Sequence, residues 1–293
     1  MERNMEKLFT EIYEYVRETC PDVIRLSFMH DGQVKTTEFK KMSRCLDAYS
    51  IAKTFTAAAI GVLWDLGLIS LDTKLLPLIA GESICVFDKR FCDITVEHAL
   101  CHSAGLCGGE LDVDVNSYNS FGEDFLSYMY SRPLSYTPGT EYRYSDGAYY
   151  LLSRAVEKVS GMGLDDFLRR ELLSKTDFGE FALSCCPMGH ALGGTGLYIH
   201  SEDAARLGYL YLNGGVYGGK RLLSEEWCEL SRKKLFGFDA CNDGILWKGG
   251  MYGQALAIYT DAGFSVAVQS FGDEVEELLK KLGEVFGTYS NKI

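Results

Sequence analysis

Apolar residues recur along this chain with two periods, and their order predicts its elements. Near the start, Met5, Leu8, Phe9, Ile12 and Val16 fall at helical spacing, which predicts an amphipathic helix. Ile24, Leu26 and Phe28 then alternate with Arg25 and Ser27, His30-Asp31-Gly32-Gln33 reads as a turn, and residues 34–39 continue extended. This is the pattern of a β-hairpin. The far end repeats the plan: residues 255–260 and 264–271 read as strands about a turn at Asp261-Ala262-Gly263, and Val275, Leu278, Leu279, Leu282 and Phe286 then share a helical face. Strands at both ends with helical text between them predict an α+β fold. Its antiparallel β-sheet, flanked by helices, is assembled from the two termini, with a mostly helical second region. On this reading residues 1–75 and 190–293 form the α/β region and residues 76–189 the helical one inserted between them. Helices are expected there at 95–100, 122–130 and 149–159, separated by loops such as Tyr136-Thr137-Pro138-Gly139. No internal repeat, low-complexity tract or flexible linker interrupts the pattern.

Composition narrows the function. The 293 residues carry 29 Lys and Arg against 41 Asp and Glu, a net charge of -12, and the longest basic run is Arg232-Lys233-Lys234, so a nucleic-acid partner is not expected. The longest apolar run, around residues 57–64, is far short of the roughly 18 to 20 residues of a membrane-spanning helix. The first 20 residues carry acids throughout rather than the basic-then-apolar plan of a signal peptide, so a cytoplasmic location is expected. Ten cysteines are scattered over the chain. The densest group, Cys85, Cys92, Cys101, His102 and Cys107, and the adjacent Cys185 and Cys186, lack the paired CxxC spacing of a zinc site. Reduced, packed thiols and no metal are expected, and His30, His98, His102, His190 and His200 show no ligand spacing either.

The segment AYSIAKTFTAAAIGVLW, residues 48–64, predicts a helix apolar on all sides and hence buried, with Lys53 its only formal charge. A lone buried ammonium is costly unless it is paired or its pKa falls. Ser50 lies three residues before it, on the same face and about 4.5 Å away in rise, near enough for the amine to take the hydroxyl proton. At a helix start, unpaired N–H groups and the dipole would favour a developing oxyanion. The alternative is structural: Ser50 caps the helix and Lys53 snorkels to solvent. A second Ser-x-x-Lys, residues 231–234, sits among charges and reads as solvated surface. Tyr136, Tyr142, Tyr149 and Tyr150 crowd Tyr144 and either line an acyl pocket or pack on the sheet.

Ser50-Ile51-Ala52-Lys53 and the residues after it resemble the nucleophile helix of the serine β-lactamase and penicillin-binding-protein superfamily, in its class C-like esterase branch. Residues 94–100 and 102–106 resemble the loop after that family's first long helices, and residues 138–146 the segment carrying its Tyr-x-Asn motif. Residues 193–198, 201–207 and 212–215 resemble the stretch leading into its last strands. Lys248-Gly249-Gly250 falls at the third motif, Lys-Thr-Gly or a variant. In order and spacing the match covers roughly residues 22–290. The resemblance implies a groove between sheet and helical region in which Ser50 attacks a carbonyl to form an acyl-enzyme, with Lys53 as general base and Tyr144 relaying protons. It also implies that Lys248 supplies positive potential, that the backbone N–H groups of Ser50 and Met251 form the oxyanion hole, and that Asp146, Lys248, Gly249, Gly250 and Met251 bind substrate. No metal or cofactor is implied.

Two departures bear on substrate. Asp146 replaces an Asn whose amide donates to substrate, and an ionised carboxylate only accepts. Gly249 replaces a Thr or Ser whose hydroxyl helps hold a substrate carboxylate. Both changes point away from β-lactams and D-Ala-D-Ala stems, toward a neutral small-molecule ester or amide. Asp146 should also hold Lys53 as the ammonium unless Lys248 neutralises it. The rival readings are a penicillin-binding-type D-Ala peptidase or β-lactamase and, from another class, a catalytically silent member that binds a ligand in the same groove. Oligomeric state is not legible in the sequence.

Overall fold

The computed structural model describes residues 2–80 and 86–290; Cys85 lies outside them. The chain opens with helix α1 (Glu2–Thr19), strands β1 (Val23–His30) and β2 (Gln33–Glu38), and the short β3 (Leu46–Asp47). Helices α2 (Ala52–Asp65), α3 (Leu75–Ala80), α4 (Val96–Leu100), α5 (Phe125–Tyr130), α6 (Asp146–Ser160) and α7 (Leu164–Glu171) follow. Next come β4 (Phe181–Leu183), β5 (Leu197–Ile199), α8 (Ser201–Leu212), β6 (Val216–Tyr217), β7 (Lys220–Arg221) and α9 (Glu225–Lys234). The chain closes with β8 (Ala240–Asn242), β9 (Ile245–Gly250), β10 (Gln254–Tyr259), β11 (Phe264–Ser270) and α10 (Val275–Ser290).

The main sheet has six antiparallel strands in the order β2-β1-β11-β10-β9-β8. The pairing of β1 with β11 joins the two ends of the chain, as the mirrored hairpins predict. Asp31-Gly32 makes the first hairpin: φ is 48° and 73°, and His30 pairs with Gln33, the geometry of a two-residue turn that matches strand twist. Leu8, Ile12 and Val16 of α1 and Leu278, Leu282 and Phe286 of α10 pack on one face with Phe28, Ala257 and Val266. Helix α8 packs on the other. Burial on both faces explains why Arg25 and Ser27, the polar positions of the alternation, are buried in β1. Arg25 is satisfied there by Glu38, Gln269 and two backbone carbonyls.

Caps set the helix starts that periodicity misplaces. Asp124 accepts the Leu126 N–H and starts α5 three residues after the expected 122, and Ser145 accepts the Ala148 N–H and starts α6 three residues before the expected 149. Helix α2 is buried continuously from Ala52 to Leu63, Lys53 included, and packs on α6 and α7. Among the described residues no helix is long and apolar enough to cross a membrane. Ser231 is fully buried on α9, which corrects the surface reading at that residue, while Arg232, Lys233 and Lys234 are exposed as expected and Lys234 reaches out to Glu97.

Candidate active site

The turn that carries Ser50 is built from strand β3. Asp47 pairs through β5 and its Oδ1 accepts the Tyr49 N–H at 2.8 Å. Burial foremost pushes the Asp47 carboxyl up to about 6, against that hydrogen bond and with Asp114 adding to the rise. Tyr49 itself is left-handed, with φ of 47°, a conformation costing a bulky residue on the order of 1–3 kcal/mol. Ser50 follows in a single 3-10 turn, Tyr49–Ile51, which runs into α2. No side chain caps either helix start, so Ser50 is not the structural cap of the alternative reading.

Lys53 does not snorkel. It is wholly buried and donates to Ser50 Oγ at 3.0 Å, Gly194 O at 2.7 Å and Asp146 Oδ1. Three acceptors match the three protons of an ammonium. Burial alone would lower its pKa, but the Asp146 carboxylate, with Tyr144, outweighs burial and raises it above the ordinary lysine value. Neutralisation of Asp146 by Lys248 does not occur, because Lys248 Nζ pairs with Asp239 Oδ1 at 2.5 Å. That corrects the condition under which Lys53 could be the resting general base.

Tyr144 joins the two lysines. Its hydroxyl lies 2.8 Å from Ser50 Oγ and accepts from Lys248 Nζ at 3.1 Å, and the two ammonium groups stand 4.6 and 4.9 Å from its ring centroid. Lys248 is buried on β9. His102 stacks on Tyr144 at 4.4 Å and its Nδ1 accepts the Ser145 N–H. Burial, then Lys53 and Lys248, hold its pKa well below the ordinary value, so a neutral ring supports Tyr144. Tyr149 and Tyr150 are buried in the core; Tyr149 donates to Leu100 O and accepts from Gly237 N–H. The packing reading holds for these two.

The third-motif segment ends β9 against the turn that carries Ser50. A Cβ on Gly250 would lie 2.4 Å from Ala48 O, so glycine is what permits that approach. Met251 then begins a turn, and the left-handed Tyr252 (φ 57°) puts its ring 5.4 Å from that of Tyr49. The Gly249 N–H donates to Asp239 Oδ2 at 2.8 Å. Asp239, which holds both Lys248 and the Gly249 N–H, is a residue of the candidate site that the sequence reading did not single out. The signal was present: Asp243-Gly244 is a second two-residue turn, with φ of 50° and 74°. The register it sets, Ala240 opposite Trp247, continues one step to place Asp239 opposite Lys248.

Asp112 and Asp114 bring carboxylate oxygens within 4.8 Å of Asp146. Burial foremost raises Asp114, while the Thr195 hydroxyl donates to it. A cavity of about 710 Å³ lies elsewhere, between α10 and Ile245, Trp247 and Tyr259. Alternation along β9 puts Ile245 and Trp247 on the face opposite Lys248, so this cavity and Lys248 lie on opposite sides of the sheet.

The family model "Beta-lactamase" matches residues 45–281. "Penicillin-binding protein 4" of Amycolatopsis lactamdurans is 24% identical over 238 residues, 72% of this chain and 61% of that protein; the chain thus spans about three fifths of that relative's length. Among solved structures, a family VIII carboxylesterase superposes with a TM-score of 0.75 at 15% identity, covering 97% of both chains. A penicillin-binding protein homologue from Caulobacter crescentus gives 0.74 at 16% identity, again over 97% of both. At such identities these likenesses show the fold.

Proposed function

The chain belongs to the beta-lactamase family, and from that premise we propose that it is a serine hydrolase working through an acyl-enzyme on a small ester or amide. The observation that carries this reading is the position of Ser50 Oγ, within hydrogen-bond reach of both Lys53 Nζ at 3.0 Å and the Tyr144 hydroxyl at 2.8 Å. Lys53, held as the ammonium, donates to Ser50 and faces the charge that develops when the carbonyl is attacked. Tyr144 relays the proton of Ser50 toward the leaving alcohol or amine as the carbonyl is attacked. Water then repeats the exchange and frees the acid. The N–H groups of Ser50 and Met251 receive the carbonyl oxygen. Activity rises with pH on this scheme, because the proton must leave a site containing two ammonium groups.

The test is the intact mass of wild type and Ser50→Ala after exposure to a fluorophosphonate. One adduct on wild type and none on the variant is expected. No adduct on wild type overturns the reading and favours ligand binding without turnover.

A further inference from the structure

We propose that Asp239 is a specificity-determining residue: its carboxylate fills a carboxylate-binding clamp formed by Lys248 Nζ and the Gly249 N–H, and so excludes substrates that carry a carboxylate on the leaving-group side. The inference deepens the acyl-enzyme reading and rests on it for the word substrate. The clamp itself is defined by what occupies it. Asp239 uses both oxygens, Oδ1 to Lys248 Nζ at 2.5 Å and Oδ2 to the Gly249 N–H at 2.8 Å. Two donors at adjacent positions of one strand, one of them an ammonium, make a two-point receptor for any carboxylate. Lys248 also donates to the Tyr144 hydroxyl, which reaches Ser50. The receptor therefore stands beside the group that protonates the leaving atom.

Three features keep the occupant in place. Asp239 is tied to β9 by its own N–H, which donates to Trp247 O at 2.9 Å, and the Asp243-Gly244 turn sets the register. Lys248 is only 3% exposed in its side chain, whereas Asp239 is 29% exposed. An incoming carboxylate meets Asp239 first, and it must displace one anion while being repelled by it. A Cβ on Gly249 would make only ordinary contact with Asp239 Oδ2, at 3.5 Å, and would press on the Trp247 ring at 3.1 Å. Lys53 offers no substitute, since its three donors are taken. The substrates this favours are esters or amides whose leaving group is neutral or carries an amine.

The experiment compares phenyl acetate with 3-acetoxybenzoate, which differ by one carboxylate on the leaving group, in wild type, Asp239→Ala and Asp239→Asn. Wild type should prefer phenyl acetate in kcat/KM. Asp239→Ala should shift that ratio toward the carboxylated ester by about tenfold or more, with Asp239→Asn between. An unchanged ratio in both variants, alongside a normal fluorophosphonate adduct on Ser50, overturns the inference and leaves the hydrolase reading standing. A second readout needs no turnover. Acetate titrated against the 15N-labelled protein should shift the Gly249 amide saturably in Asp239→Ala and not in wild type. No saturable shift in the variant overturns the clamp, whether or not Ser50 reacts.

Discussion

Asp146 forms a buried ion pair with Lys53, and this contact, with Tyr144 beside it, holds the lysine as the ammonium. Burial pulls the Lys53 pKa down, and Asp146 together with Tyr144 more than restores it. Asp146→Asn removes the anion and leaves burial in command, so protons leave the site more readily. The rising limb of kcat/KM against pH should move to lower pH by about one unit or more. A limb that stays where it was would show that Asp146 does not control the ionisation used in acylation.

Tyr144 connects Ser50 to Lys248, and removing its hydroxyl breaks that connection while leaving the ring on His102. Tyr144→Phe should lower kcat by on the order of 10²–10⁴-fold, the usual worth of a positioned acid–base group, with little change in melting temperature. Steady-state kinetics beside a thermal melt checks both. A loss under tenfold would remove Tyr144 from the proton path.

What the sequence made legible follows from how local each signal is. The hairpins at both ends, the all-round apolar helix and the spacing of Ser50 to Lys53 are written within a few residues, and each has its counterpart in the structure. The meeting of β1 with β11 was legible because the two ends mirror each other. The short strands β3, β4 and β5 were not, because two or three residues carry no period and only their pairing makes them strands, with Leu46 of β3 meeting Ile199 of β5 from the far side of the helical region. Asp239 was missed for want of one step, since its partner becomes visible only when the turn at Asp243-Gly244 is used to count back along the strand. His102 shows no ligand spacing in the sequence, and its stacking on Tyr144 depends on a left-handed backbone, φ 54°, that no spacing announces.

His102 predicts a stability trend with a definite sign. Its pKa is lowered in the folded protein, so below about 6.5, the ordinary histidine value, the unfolded chain takes up a proton that the folded one refuses. Its contribution is fully present above that pH and is lost as pH falls, at up to about 1.4 kcal/mol per pH unit. Asp47, pushed up to about 6, acts with the opposite sign: the folded state holds its proton first, so its contribution grows as pH falls through 6. The two are separated by comparing urea unfolding of wild type and His102→Phe from pH 7.5 to 5. The variant should lose stability less steeply, and parallel curves would place the histidine's ionisation elsewhere.

Gly250 tests whether the approach of β9 to the nucleophile turn matters for reaction rather than for folding. Its backbone is ordinary extended chain, φ -119° and ψ 165°, so alanine meets no conformational penalty there and the objection is space alone. The new Cβ would stand 2.4 Å from Ala48 O, and backbone cannot swing aside as a side-chain end can. Relief requires the end of β9 to move away from the turn that carries Ser50, taking the Met251 N–H with it. A displacement near 1 Å at reacting groups costs about 10²-fold in rate, while overpacking at one methyl costs roughly 1–3 kcal/mol of stability. Gly250→Ala should therefore remain folded and lose kcat by about 10²-fold, with the fluorophosphonate reaction of Ser50 slowed in parallel. Unimpaired labelling with a comparable loss of stability would mean that the strand end supports the fold and contributes nothing to the oxyanion site.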